Sequence, residues 1–206
     1  MIDSIEWLGH ASFRIAGPPL IYIDPWRVVR EGNAPDAILV SHDHYDHCSP
    51  ADIEKLCGPE TVVLANPNAA ALLPGARVMR PWQVFNIGRA CIKTVPAYNS
   101  HHPREFECLG FVISLNHYDI YFAGDTGLIP EMNNLRADIA ILPIGGRQTM
   151  GVEEATQAVR ILRPRWVIPS HWGTASEGGT VVDVKAFARS LEAEGLAELV
   201  VPERVR

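Results

Sequence analysis

One stretch of seven residues, Ser41-His42-Asp43-His44-Tyr45-Asp46-His47, restricts how this chain can fold more than any other. It follows the apolar run Ala37-Ile38-Leu39-Val40 without a spacer. Imidazoles and carboxylates are seldom buried unless they pair with each other or hold a metal. A strand that reads as buried and ends in this cluster therefore has to deliver it to a common centre. Imidazole nitrogen suits ions such as zinc, iron or nickel, and a carboxylate among the imidazoles adds an anionic ligand for a divalent cation. The stretch reads as the first part of a metal site.

The flanking residues place it. Apolar runs at 5–9, 12–16 and 20–23, punctuated by glycine and proline, predict a meander of three strands. Asp24 ends the third, either as a carboxylate that orients a metal-binding histidine or as an Asx turn before Pro25. After the cluster, Ser49 as N-cap and Pro50 at the first helical position predict a helix to about Leu56, so the cluster occupies a strand-to-helix loop. A strand at 61–65 and a helix at 68–73 precede a strand-rich block at 77–80, 83–87, 90–96, 109–115 and 119–123. The last two of these form a hairpin with His117 as a solvated turn residue. A strand at 138–144, a helix at 152–162, a strand at 166–169, a helix at 182–194 and a strand at 199–201 complete the pattern. Each half carries strands and helices, which predicts an α/β fold of two sheets packed face to face with helices outside. No linker or composition shift interrupts it, so one domain over 1–206 is expected.

The 206 residues are 47% hydrophobic and 20% charged, ordinary for an ordered globular chain. A net charge of −6 argues against a nucleic-acid partner, because clustered lysine and arginine supply most phosphate-backbone affinity. A small-molecule substrate, including an anionic one held by local arginines, is compatible with it; a homo-oligomer is left open. There is no apolar run long enough to span a bilayer and no basic leader with an apolar core, so a soluble, cytoplasmic protein is expected. Cys48, Cys57, Cys91 and Cys108 form no Cys-x-x-Cys pair and read as free, mostly buried thiols, with Cys48 the one to watch for oxidation.

Three later places repeat the opening pattern of a ligand-type side chain just beyond a strand: His101-His102, Asp125 in Ala123-Gly124-Asp125-Thr126-Gly127, and His171 in Pro169-Ser170-His171-Trp172-Gly173. In this order the chain resembles the metallo-β-lactamase fold superfamily. Leu8-Gly9-His10-Ala11-Ser12, Leu142-Pro143-Ile144-Gly145-Gly146, Met150 and His171-Trp172-Gly173-Thr174 resemble its small, single-domain branch of metal-dependent hydrolases, with lactonase-like and phospholipase D-like members. The resemblance implies a four-layer αββα sandwich holding two divalent ions, zinc before manganese, nickel or iron. One ion would be held by His42, His44 and His102, the other by Asp46, His47 and His171, with Asp125 bridging. Branch members in which the histidine before proline is the ligand favour His102 over His101.

It further implies a hydrolase in which a hydroxide shared by the ions attacks a small ester, lactone or phosphodiester, with Asp46 or the hydroxide itself handling the proton. His10 would orient substrate or support the metals, or would be a structural histidine in a tight turn. Arg104, Arg147 and Gln148 would sit in loops over the site and bind an anionic group, or be solvated. Trp26, Trp82 and Trp172 would wall the pocket or pack in the core. The rival functions are a non-catalytic metal-binding or sensing protein that kept the fold, and redox chemistry at a di-iron site.

Overall fold

The computed structural model describes residues 1–29, 32–173 and 178–205. The first sheet runs in sequence order, β1 (Ile5–Gly9), β2 (Ser12–Ile15), β3 (Ile21–Ile23), β4 (Ala37–Val40), β5 (Val62–Ala65) and β6 (Arg77–Val78). Its first three strands are the antiparallel meander expected from the sequence, and β3 to β6 are parallel. Helices α1 (Pro50–Leu56) and α2 (Pro67–Leu72) make the parallel crossovers.

The second sheet also runs in sequence order from edge to edge: β7 (Val84–Ile87), β8 (Ala90–Pro96), β9 (Leu109–Leu115) and β10 (Tyr118–Phe122) are antiparallel. They continue in parallel into β11 (Ile139–Pro143), β12 (Trp166–Ser170) and β13 (Glu198–Leu199). Helices α3 (Val152–Leu162) and α4 (Val181–Glu194) connect the parallel strands. The β9–β10 hairpin closes through Asn116 and His117, both at positive φ, as a two-residue turn matched to strand twist requires.

Strand β4 shows why the layers form. All four of its residues are fully buried, but period-two geometry sends them to different cores. Ala37 and Leu39 join the core between the sheets, where Phe13 meets Phe122 edge-on at 6.2 Å. Ile38 and Val40 join a smaller core with Ile53 and Leu56 of α1 and Ala69 of α2. A strand covered on both faces needs an uninterrupted apolar run, which is what 37–40 provides.

The element boundaries show which signals went unread. Helix α2 starts at Pro67 with Asn66 as its N-cap, the same cap-then-proline signature that marks Ser49-Pro50. Helix α4 starts at Val181 because Thr180 and Asp183 form a capping box. The strand expected at 77–80 is only Arg77–Val78, and the one expected at 199–201 is Glu198–Leu199. Short 3-10 turns at Arg104–Phe106 and Pro130–Asn134 carry no apolar periodicity and were not foreseen. Among the described residues no helix is long and apolar enough to cross a membrane.

The four cysteines are free, with Cys48 and Cys108 buried. Burial, with the nearby charges of Asp24 and Asp43, pushes the Cys48 thiol up to about 12, which makes it a poor nucleophile rather than an oxidation-prone one.

Thr180 both accepts from the Val182 amide and engages Asp183, so Thr180→Ala should lower unfolding free energy by about 1 kcal/mol. Urea denaturation should show a lower midpoint at unchanged slope.

Candidate metal centre

Strands β1, β3 and β4 run parallel to one another, as do β8, β10 and β12, so their C-terminal ends share a rim within each sheet. His10, Asp24, the 41–47 loop, His102, Asp125 and His171 all lie just beyond these ends. Two backbone bonds join the rims: the Leu109 amide donates to Ser41 O at 2.9 Å and the His171 amide to His10 O at 3.2 Å. Within the 41–47 loop the amides of His47 and Cys48 donate to His44 O, a turn that folds His47 back toward His42, ring to ring at 4.2 Å.

Three overlapping groups of ligand atoms result, each with all members within 4.8 Å of one another: His42, His44 and His102; His10, Asp46, His47 and His171; and His42, His47 and Asp125. The Nε2 atoms of His44 and His102 are 3.2 Å apart. Asp125 lies between the groups, Oδ2 at 3.2 Å from His171 Nε2 and 4.0 Å from His42 Nε2, Oδ1 at 3.4 Å from His47 Nε2. His102 is buried and joins its group, whereas His101 is exposed and stands outside all three. His10 is in the second group, its Nε2 3.1 Å from Asp46 Oδ2.

These residues fit a divalent cation on two counts. His42 Nε2, His47 Nε2 and Asp125 Oδ1 are buried without a hydrogen-bond partner, although native proteins leave few such atoms unsatisfied. Ligands about 2.0–2.1 Å from a tetrahedral zinc lie roughly 3.3–3.4 Å apart, close to the shorter ligand-atom separations at this rim.

The charges are mutually dependent. Burial would raise the Asp125 carboxyl, but His47 and His171 hold it well below the usual range. Burial would likewise lower the His47 imidazole, yet Asp125 and Asp24 on either side keep it well above its ordinary value. Burial, helped by the charge of His47, drives His42 well below its ordinary value. Asp46 would be raised by burial and is instead lowered, chiefly by the His10 hydrogen bond and by His47.

A second layer orients these groups. Asp24, fully buried, accepts from the Ser41 amide at 2.7 Å and the Ser41 hydroxyl at 2.6 Å, and its Oδ2 is 2.8 Å from His47 Nδ1. It is therefore the orienting carboxylate, and its φ of 45° shows that it occupies a tight turn as well. Asn99 was not foreseen: its Oδ1 accepts from the His101 and His102 amides at 2.7 Å, while its Nδ2 donates to the carbonyls of Asp125 and Gln148. Only its place just before the histidine pair could have hinted at this. Gly145 is required because a Cβ there would lie 2.8 Å from His171 O and 3.1 Å from His171 Nδ1.

A hollow of about 560 Å³ opens above the rim, lined by Tyr45, Asp46, Asp125, Arg147, Gln148 and two histidines. Arg147 and Gln148 are thus where the sequence put them. Arg104 does not line the hollow and takes the solvated alternative: it is exposed, pairs with Glu131 and lies over the Tyr98 ring. Trp82 is exposed beneath Lys93 and walls no site, whereas the Trp26 ring meets Tyr45 edge-on at 5.8 Å. Thr174 lies outside the described residues.

A family model described as a beta-lactamase superfamily domain matches residues 4–171. The chain belongs to this superfamily. A UPF0173 metal-dependent hydrolase of Pyrococcus abyssi is 35% identical over 193 residues, covering 82% of this chain and 84% of its own. Another, of Symbiobacterium thermophilum, is 33% identical over 217 residues and covers 96% and 95%. A solved structure from Parabacteroides distasonis superposes with a TM-score of 0.86 at 28% identity, covering 98% of this chain and 93% of that one. The two face-to-face sheets are the metallo-β-lactamase fold.

In this superfamily member Asp24→Ala should weaken zinc binding by about 10- to 100-fold, since His47 and Ser41 lose their common acceptor. Competition with a chromogenic chelator measures it, and wild-type affinity would remove Asp24 from the orienting role.

Proposed function

We propose that this chain is a hydrolase that works with two divalent cations and cleaves a small ester, lactone or phosphodiester. The observation that carries this reading is the Asp125 carboxylate, poised between two groups of ligands with an oxygen within 4.0 Å of His42, His47 and His171. In this reading His42, His44 and His102 hold one ion, Asp46, His47 and His171 hold the other, and Asp125 is shared. The metal-dependent hydrolase names of the Pyrococcus and Symbiobacterium relatives support the reaction class.

Bound divalent ions supply Lewis acidity and lower the pKa of water from about 15.7 toward neutrality. The rest is done by the chain. Asp46 lines the hollow and is held ionised by His10, which suits it as an anionic ligand; its place at the hollow is what supports a part in handling the proton, a part the shared hydroxide could fill instead. His10 fixes which way that carboxylate points. Arg147, the one described cation lining the hollow, suits an anionic group on the substrate, and Tyr45 offers an aromatic wall. A hollow of about 560 Å³ is of small-molecule size. Its opening onto Asp46, Asp125 and His171 favours catalysis over a closed, purely structural or sensing site.

Zinc, manganese and nickel forms tested on chromogenic esters, lactones and phosphodiesters should reveal turnover of at least one class. His44→Ala and Asp125→Ala should each lower kcat/KM by on the order of 10³. Activity retained in both metal-free variants would overturn the proposal. Because ligands from both sheets would share the ions, chelation should lower the melting temperature, and an identical melting curve after verified metal removal would argue against the shared site.

A further inference from the structure

A second hollow reaches the rim from another direction. About 270 Å³ in volume, it is lined by His10, Trp7, Trp26, Trp172, Arg27 and Arg204, with two glycines, and shares no residue with the hollow above Asp46 and Asp125. A neighbouring hollow of about 360 Å³ is also lined by Arg27 and Arg204, together with Arg14 and Val29. Arg27 and Arg204 belong to the walls of both hollows, which we treat as one groove.

We propose that this groove is a second ligand site, which takes a phosphate or carboxylate group carried on a small molecule with a flat apolar body. The inference does not depend on the hydrolase reading.

Charge is the first argument. The chain has 24 acidic and 18 basic residues, yet three arginines and no carboxylate are among the described residues lining the groove. Arg14 is committed to Glu6 and the Tyr22 hydroxyl. Arg204 differs. Its Nε donates to Leu8 O at 3.0 Å, and its guanidinium lies flat against Gly9, where a Cβ would sit 2.7 Å from Nε and 2.8 Å from Cζ. Gly9 also has φ +120°, so a side chain there is disfavoured twice. The fork is therefore held in place by its inner nitrogen, and no described residue accepts from its two terminal amino groups. A fixed, open guanidinium edge is matched to a bidentate oxyanion.

Shape is the second argument. Three of the five tryptophans line the groove. Trp7 and Trp172 stack at 4.4 Å and 10°, and the Arg27 guanidinium covers the Trp26 ring at 4.1 Å. These contacts occupy indole faces, so what the hollow presents beside the guanidinium groups is indole edges, which suit the face of a flat apolar body joined to an anion. Position is the third. His10 lines this groove and bonds Asp46 through Nε2, so an occupant sits one side chain from the metal ligands.

Calorimetric titration of the metal-loaded protein with inorganic phosphate and with phenyl phosphate tests the proposal and separates a free anion from an anion on a flat body. Phenyl phosphate is expected to bind about tenfold more tightly than inorganic phosphate. Arg204→Gln should weaken it by about tenfold or more, Arg204→Lys by less, and His44→Ala should leave it unchanged. If Arg204→Gln does not fold, weaker binding to Arg204→Lys carries the same information. Equal affinity for the two anions, wild-type affinity in the folded arginine variants, loss of binding in His44→Ala, or no binding at all would each overturn it.

Discussion

Everything at this rim depends on the cost of taking charge out of water. Six of the eight histidines and the carboxylates of Asp24, Asp46 and Asp125 meet in a space where most are buried. Isolated, each would be driven to its neutral form. Together they hold one another in place: Asp24 and Asp125 flank His47, and His10 keeps Asp46 ionised. The pairing is incomplete, because His42 Nε2, His47 Nε2 and Asp125 Oδ1 remain unsatisfied at the middle of the cluster. The protein leaves these atoms without partners, and a bound cation would satisfy them. The rigid supports follow from the same cost, since a cluster this polar tolerates little rearrangement.

The fold serves that cluster through direction. Loops following strands that run the same way emerge at the same edge, so parallel strands within each sheet bring histidines and aspartates from far apart in sequence to one rim. The antiparallel meanders that precede the parallel strands bring in His10 by the same rule, since β1 and β3 run alike.

Much of this was legible in the sequence because ligand residues and strand ends carry local signals. The apolar run at 37–40 followed by His-x-His-x-Asp-His needs no long-range information. The two-sheet arrangement followed from the pattern of elements, and buried two-faced strands such as β4 could be read from unbroken apolar runs. Asn99, Ser41 and the Arg204 tail were not legible, because what they do is a matter of contact across 17 to 196 positions, as Ser41 with Asp24, Asn99 with Asp125 and Arg204 with Leu8 show. The choice between Arg104 over the site and Arg104 in solvent was open for the same reason: nothing near it in sequence reveals that Glu131 lies within reach. Boundary errors arose where a cap residue was passed over, at Asn66 and Thr180.

The two backbone bonds that cross the rim have a further consequence. Leu109 N to Ser41 O and His171 N to His10 O join one sheet to the other, unlike the ladder bonds that join strands within a sheet. Fraying of the edge strands β6, β7 or β13 reaches neither, and loosening of the edge strand β1 reaches only the bond to His10; parting of the sheets breaks both. The pair of amide protons is therefore a built-in gauge of sheet separation: exchange that quickens at Leu109 and His171 together reports the opening of the sandwich as a whole, whereas exchange at His171 alone reports the loosening of β1.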